Sequence, residues 1–343
     1  MKRILVLGAG AMGSAFTVPC VDNNNDVVLV GTHLEDEAIE IIKKEKNFHK
    51  ILNCKLPKNL RVEKFEKLQD EVKKKPDLIV IGVNSKGIEW AGKEISKNFN
   101  SSSSILLLTK GLTVINDKFE TLVEKFKLIL KNNGRMSDVK VSAVGGPCLA
   151  SGLANRIKSS VVLANEKIEI VKQIRDIIST NYYTVECSND LIGVEICAAI
   201  KNIYSMLIGA SEGICSSNVE KEIKSKYFLN TAASLMYRAI NEMNYFTKKL
   251  KGKEETVYGL AGLADLYVSS AGGRNSKMGK YLGEGYDYKT AKEKFMKNET
   301  IEGAELIFEI GTKIQKDFDK VEIPLMISLI KSITDNKKLE ISW

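Results

Sequence analysis

Gly8-Ala9-Gly10-Ala11-Met12-Gly13 has the spacing of a loop that receives a dinucleotide. In such a loop the first glycine permits a tight turn and the second lets the backbone approach a pyrophosphate. The third allows a helix to pack closely on a strand. The helix that follows offers open N–H groups and the positive end of its dipole to phosphates. The string alone is weak evidence. Its setting is stronger, because it closes the apolar run Ile4-Leu5-Val6-Leu7 and opens a helical pattern. About twenty residues beyond the loop, a carboxylate would bond the ribose 2′-hydroxyl of NAD. There the chain reads Gly31-Thr32-His33-Leu34-Glu35-Asp36. Thr32 and His33 at the strand tip tolerate a 2′-phosphate, whereas Glu35 or Asp36 folding back would serve the ribose. The cofactor therefore reads as NAD or NADP. His33 reads equally well as a plain residue at a helix start.

A nicotinamide cofactor that reduces a carbonyl needs a proton donor at the carbonyl oxygen and a site for the rest of the substrate. The chain has two histidines, His33 and His49, both in its nucleotide-binding half. A lysine is the natural substitute where burial tunes it. Lys201 lies in Gly193-Val194-Glu195-Ile196-Cys197-Ala198-Ala199-Ile200-Lys201-Asn202-Ile203, with small residues on its helix face. On pattern alone it reads as a lysine snorkelling out of an amphipathic helix. Arg274, after Gly272-Gly273, reads on the same basis as a solvated turn arginine.

These residues need elements to hold them. Residues 4–7, 26–30, 77–83, 104–108, 140–144 and 160–164 read as buried strands. Helical patterns fall between them at 11–23, 35–46, 88–99, 118–132 and 167–180. That rhythm predicts a Rossmann-type α/β domain with a doubly wound, mainly parallel sheet over residues 1–188. From 189 to 343 the pattern becomes an all-α C-terminal domain. Its helices are expected at 190–212, 220–250, 258–270, 288–297, 301–317 and 324–333.

Composition narrows the class. The chain is 44% hydrophobic and 27% charged, which is globular rather than disordered. It has no uninterrupted apolar run of the ~18 residues a membrane span requires. The N-terminal apolar run stops after four residues, too short for a secretory signal. The net charge of +8 is spread without a dense basic block, and no zinc spacing or basic-aromatic signature points to nucleic acid. Six cysteines without a CxxC pair fit reduced thiols in the cytoplasm. Two histidines are too few for a multi-histidine metal site, so no metal is expected.

Further segments carry a family pattern. They are Thr109-Lys110-Gly111-Leu112, Gly145-Gly146-Pro147, Glu195 to Asn202, and Gly259-Leu260-Ala261-Gly262-Leu263-Ala264-Asp265-Leu266. Gly272-Gly273-Arg274-Asn275, then Gly279, Leu282, Gly283 and Gly285, and Ile301-Glu302-Gly303 complete it. With the Gly8–Gly13 loop, the chain resembles NAD(P)-dependent glycerol-3-phosphate dehydrogenases from end to end. The resemblance implies interconversion of dihydroxyacetone phosphate and sn-glycerol 3-phosphate, supplying glycerophospholipid synthesis. It implies a small phosphorylated substrate and a homodimer.

Position by position, the resemblance makes Lys201 the catalytic lysine at the C2 oxygen and Lys110 a contact to both substrate and cofactor. Asp265 becomes the aspartate that orders the lysine and the C2 hydroxyl. Arg274 and Asn275 contact substrate phosphate and cofactor. Gly146, Cys148, Asn202 and Ser269 fall at substrate positions. Gly8, Gly10, Ala11, Met12, Gly13, Thr32, His33 and Ala150 fall at cofactor positions, and Glu302 lines the nicotinamide side. The physical reading agrees, because a phosphate monoester carries roughly two charges and an arginine fork suits it. Four departures stand out: Ala264 for the usual glycine, Ser269 for threonine, Cys148 for a serine, threonine or other small residue, and Ser151-Gly152-Leu153-Ala154 where the family has a glutamate. They keep open a related dehydrogenase of another hydroxy acid or phosphosugar. A non-enzymatic nucleotide sensor is the third reading, and it alone predicts that Lys201 is dispensable.

Overall fold

The computed structural model describes residues 1–133, 139–216 and 221–342. They form two compact units. The first comprises Met1–Lys110 and Thr121–Leu191; the second comprises Gly111–Glu120 and the chain from Ile192 onward.

The elements up to residue 188 run in the order β1 (Arg3–Leu7), α1 (Ala11–Asp22), β2 (Asp26–Val30), α2 (Asp36–Lys44), β3 (Phe48–His49), β4 (Cys54–Lys55), β5 (Arg61–Glu63), α3 (Leu68–Lys73), β6 (Leu78–Ile81), α4 (Ile88–Ser96), β7 (Ser104–Leu107), β8 (Leu112–Ile115), β9 (Lys118–Thr121), α5 (Leu122–Asn132), β10 (Val141–Gly145), α6 (Ala150–Ala154), β11 (Ser159–Ala164), α7 (Ile168–Ile178) and β12 (Tyr183–Ser188). The first unit is built on an eight-stranded sheet ordered β12-β11-β10-β7-β6-β1-β2-β5. Every adjacent pair is parallel except β10 with β11. Strands β1, β6 and β7 are buried along nearly their whole length, as parallel strands covered on both faces must be.

The later chain is helical: α8 (Leu191–Ser216), α9 (Lys221–Lys249), α10 (Glu254–Tyr258), α11 (Asp265–Ser270), α12 (Arg274–Gly283), α13 (Tyr288–Phe295), α14 (Glu302–Asp317) and α15 (Pro324–Thr334). Among the described residues, α8 is the one helix long and apolar enough to cross a membrane. Its most apolar stretch is 89% buried inside the protein, which marks it as the core helix of this unit.

The structure corrects four local expectations. The helical reading from Lys118 fails over its first four residues, which form β9. Asn116 and Asp117 both take left-handed φ, at 51° and 58°. That makes a two-residue hairpin turn between β8 and β9. Helix α5 then starts at a capping box, where Thr121 Oγ1 accepts from Glu124 N–H at 3.2 Å and Glu124 accepts from Thr121 N–H at 3.0 Å. The single helix expected at 258–270 is three pieces. Gly259 is extended, Leu260–Ala264 is a π-helical turn, and α11 begins at Asp265. Arg274 opens helix α12 rather than sitting in a turn. Strands β5 and β12 carry too few apolar residues to stand out by pattern, and they complete the two edges of the sheet. Residue 220, the expected start of one helix, lies outside the described residues.

The β8–β9 hairpin belongs to the helical unit. Thr113 Oγ1 donates to Glu309 at 2.5 Å, and Asp117 pairs with Lys313 at 3.0 Å and Lys316 at 3.1 Å. Phe119 packs edge-on against Phe246 and Phe318.

Candidate active site

In the first unit, the loops after β1, β6, β7 and β10 all leave the carboxyl ends of neighbouring parallel strands. Ligands bind at that end of a doubly wound sheet, where the strand order reverses. These loops carry Gly8–Gly13, Gly82-Val83, Thr109-Lys110 and Gly146–Cys148. The Thr109 hydroxyl donates to the Val83 carbonyl, which ties two of them together.

The three loop glycines answer different demands. Gly8 has φ +110°, and a Cβ there would lie 2.9 Å from the Gly82 carbonyl. A Cβ on Gly13 would lie 2.1 Å from the Gly8 oxygen. Internal packing therefore demands both. A Cβ on Gly10 would meet only Glu35 Oε1, at 3.8 Å. Nothing in the fold requires glycine there; an approaching pyrophosphate would. Helix α1 begins at Gly10 with no side-chain cap and no acidic residue in its first turn, so its N-terminal dipole faces no competing carboxylate of its own helix. Ala11 and Met12 are half-buried against the sheet core, as are Cys148 and Ala150. The segment 151–154, which lacks the expected glutamate, forms the end of α6, and α6 packs on α1.

Ala9 is held on both sides. Its N–H donates to Glu35 Oε2 at 2.9 Å, and the same oxygen accepts from Thr32 N–H at 2.8 Å. Its carbonyl lies 3.0 Å from His49 Nε2. Leu52 N–H donates to His49 Nδ1 at 3.2 Å, so Nε2 carries the proton and donates to Ala9. Nothing in the sequence pattern singled out His49. His33 is exposed and turned aside, its ring 4.8 Å from Trp90 and 6.0 Å from Phe65.

In the second unit, Lys201 is buried, 6% exposed, and its ammonium donates to Asp265 Oδ1, itself 2% exposed. The snorkelling arrangement is therefore excluded. Asp265 is placed by the π-helical turn at Leu260–Ala264, an irregularity common at functional sites. Next to Lys201, Asn202 Oδ1 accepts from Asn275 Nδ2 at 3.2 Å. Asn275 Oδ1 accepts from Gly303 N–H at 2.9 Å. Arg274 donates to Glu302 Oε1. Ser269 lies half-buried near the end of α11, a short loop before Arg274.

Helices α8 and α12 cross at van der Waals distance. A Cβ on Gly279 would lie 1.8 Å from the Met206 oxygen, and one on Gly209 would lie 2.2 Å from the Ser276 oxygen. This contact fixes the start of α12, with Arg274 and Asn275, beside Lys201 and Asn202 on α8. It gives Gly279, singled out in the sequence, its physical reason.

Behind this face, Glu242 of α9 is buried and accepts from Leu325 N–H at 2.6 Å, Met326 N–H at 2.9 Å and Tyr204 Oη at 3.1 Å. It caps the N-terminus of α15 and ties it to α8. Burial pushes its pKa up to about 7, against the three donors, which favour the charged form.

Comparison with known proteins identifies the family. Residues 3–171 match the family described as NAD-dependent glycerol-3-phosphate dehydrogenase N-terminus, and residues 190–342 match its C-terminus. An NADP(+)-dependent glycerol-3-phosphate dehydrogenase of Archaeoglobus fulgidus is 31% identical, covering 98% of this chain and 96% of the relative. A glycerol-3-phosphate dehydrogenase [NAD(P)+] of Clostridium botulinum is 27% identical, covering 98% and 94%. The crystal structure of glycerol-3-phosphate dehydrogenase from Coxiella burnetii shares the fold, with a TM-score of 0.80 at 23% identity over 98% of this chain and 96% of that one. From the glycine loop to the last helix, the chain belongs to the NAD(P)-dependent glycerol-3-phosphate dehydrogenase family.

Proposed function

We propose that the chain interconverts dihydroxyacetone phosphate and sn-glycerol 3-phosphate, with NADH or NADPH as the reductant. The observation that carries this reading is the buried Lys201–Asp265 pair, with Asn202, Asn275 and Arg274 beside it. The open face of Gly10 and the uncapped start of α1 fit a dinucleotide pyrophosphate. Gly8, Gly10, Ala11, Met12, Gly13, Thr32, Lys110, Ala150, Arg274 and Glu302 are the residues proposed to hold it. His33, turned toward Trp90, would contribute only from the rim. The bound nicotinamide supplies a hydride to C2 of the substrate.

The protein's own residues do the rest. Lys201 delivers a proton to the C2 oxygen as that oxygen gains charge, and takes it back in the reverse direction. Asp265 orients the buried ammonium and balances its charge. Asn202 and Asn275 hold each other and present polar groups to the substrate. Arg274 takes the phosphate with its planar fork. Gly146, Cys148 and Ser269 complete the proposed substrate contacts, and Lys110 is proposed to reach both ligands.

The reading extends to a cytoplasmic homodimer that feeds glycerophospholipid synthesis. Six cysteines, none paired in a disulfide among the described residues, support a reducing compartment, and light scattering reads the oligomer. The test of activity is oxidation of NADH and of NADPH by purified protein given dihydroxyacetone phosphate, with unphosphorylated dihydroxyacetone as comparison. Turnover of the phosphorylated ketone alone supports the proposal. No turnover with either cofactor, or preference for the unphosphorylated ketone, overturns it.

A further inference from the structure

The arginine proposed to hold the substrate phosphate already holds an anion of the protein's own. Arg274 is the first residue of α12 and Glu302 the first residue of α14, and their side chains form an ion pair. The two side chains keep 51% and 40% of their exposure, so the pair can open without disturbing a core. Beneath it, Asn275 pins the two helix starts together through Gly303 N–H and Asn202. Lys277 and Glu299 add a second pair at 2.9 Å. The junction therefore stays assembled when Arg274 changes partner. Gly303 reinforces it, since a Cβ there would lie 2.5 Å from the Asn202 oxygen.

We propose that Glu302 is a resident counter-ion which the substrate phosphate must displace from Arg274, and that it thereby sets the affinity of the phosphate site. This rests on the function proposed above. An exposed ion pair is weak and exchanges readily. A carboxylate brings one charge to the guanidinium, whereas a phosphate monoester brings nearly two at neutral pH. A dianion therefore competes for Arg274 better than a single carboxylate does. Glu302 thereby lowers the affinity for any anion that must displace it from Arg274.

The test is a double-mutant cycle read by calorimetry with inorganic phosphate, in the absence of cofactor, and by KM for dihydroxyacetone phosphate. Glu302→Gln should tighten phosphate binding and lower this KM by about threefold to tenfold. Glu299→Gln removes a nearby carboxylate that pairs with Lys277, and it should change either constant by less than twofold. Arg274→Ala combined with Glu302→Gln should abolish the gain. Unchanged or weakened phosphate binding in Glu302→Gln overturns the proposal. So does an equal gain in Glu299→Gln, which would reduce the effect to general charge. The calorimetry does not depend on turnover, so failure of the wild type to reduce dihydroxyacetone phosphate would count against the proposed activity separately.

Discussion

Lys201 and Asp265, 64 residues apart in the chain, meet as an ion pair in which neither side chain is more than 8% exposed. A buried charge survives only if paired, and the removal of one partner typically costs about 3–5 kcal/mol. Asp265→Asn is therefore expected to lower both kcat and the denaturation midpoint. Chemical denaturation measures the second. A variant as stable as the wild type would show that Lys201 has another counter-charge.

The glycine loop separates folding from binding. Gly10→Ala places a methyl in ordinary contact with Glu35, at a φ of −68° that alanine accepts. Its stability should stay within about 1 kcal/mol of wild type, while KM for the cofactor rises. Gly13→Ala drives a methyl against the Gly8 oxygen, and it should lose about 1–3 kcal/mol or more. Melting curves beside cofactor titrations distinguish the two.

Glu35 bears on the choice of cofactor. Its carboxylate occupies the N–H groups of Ala9 and Thr32 at the strand end where a 2′-phosphate would sit. Like charges about 4 Å apart cost about 1 kcal/mol even in water. Glu35→Gln should thus raise the ratio of kcat/KM for NADPH over NADH, by about fivefold. A ratio that stays put would place the 2′-position away from Glu35.

Glu242 gives stability a pH dependence. Its folded pKa, about 7, lies above the ordinary value of 4.5, so the folded protein binds this proton more tightly than the unfolded chain. The associated stability is complete below pH about 4.5, is lost as pH rises toward about 7, and then levels off. Glu242→Gln should flatten the fall in Tm between pH 5 and pH 8, whatever its effect on Tm itself. An unchanged slope would assign that dependence to other groups.

Much of this arrangement was legible in the chain itself. Fully buried parallel strands such as Leu78–Ile81 announce themselves as continuous apolar runs, and Gly8–Gly13 follows one of them. Half-exposed elements do not. Lys118–Thr121 carries two charged residues and reads as a helix start, and only the left-handed Asn116 and Asp117 turn it into a strand. Lys201 shows the deeper limit. Its helix pattern suits an exposed lysine, and its burial depends on Asp265 arriving from a distant segment. Pairings of that kind, like His49 on Ala9, have no local signature.

The central claim is that Lys201 moves the proton at the C2 oxygen. Its most direct test is kcat for dihydroxyacetone phosphate reduction in Lys201→Ala, with cofactor binding measured alongside. The account predicts a loss of ~10²-fold or more with cofactor affinity retained. A variant that turns over at the wild-type rate would contradict it.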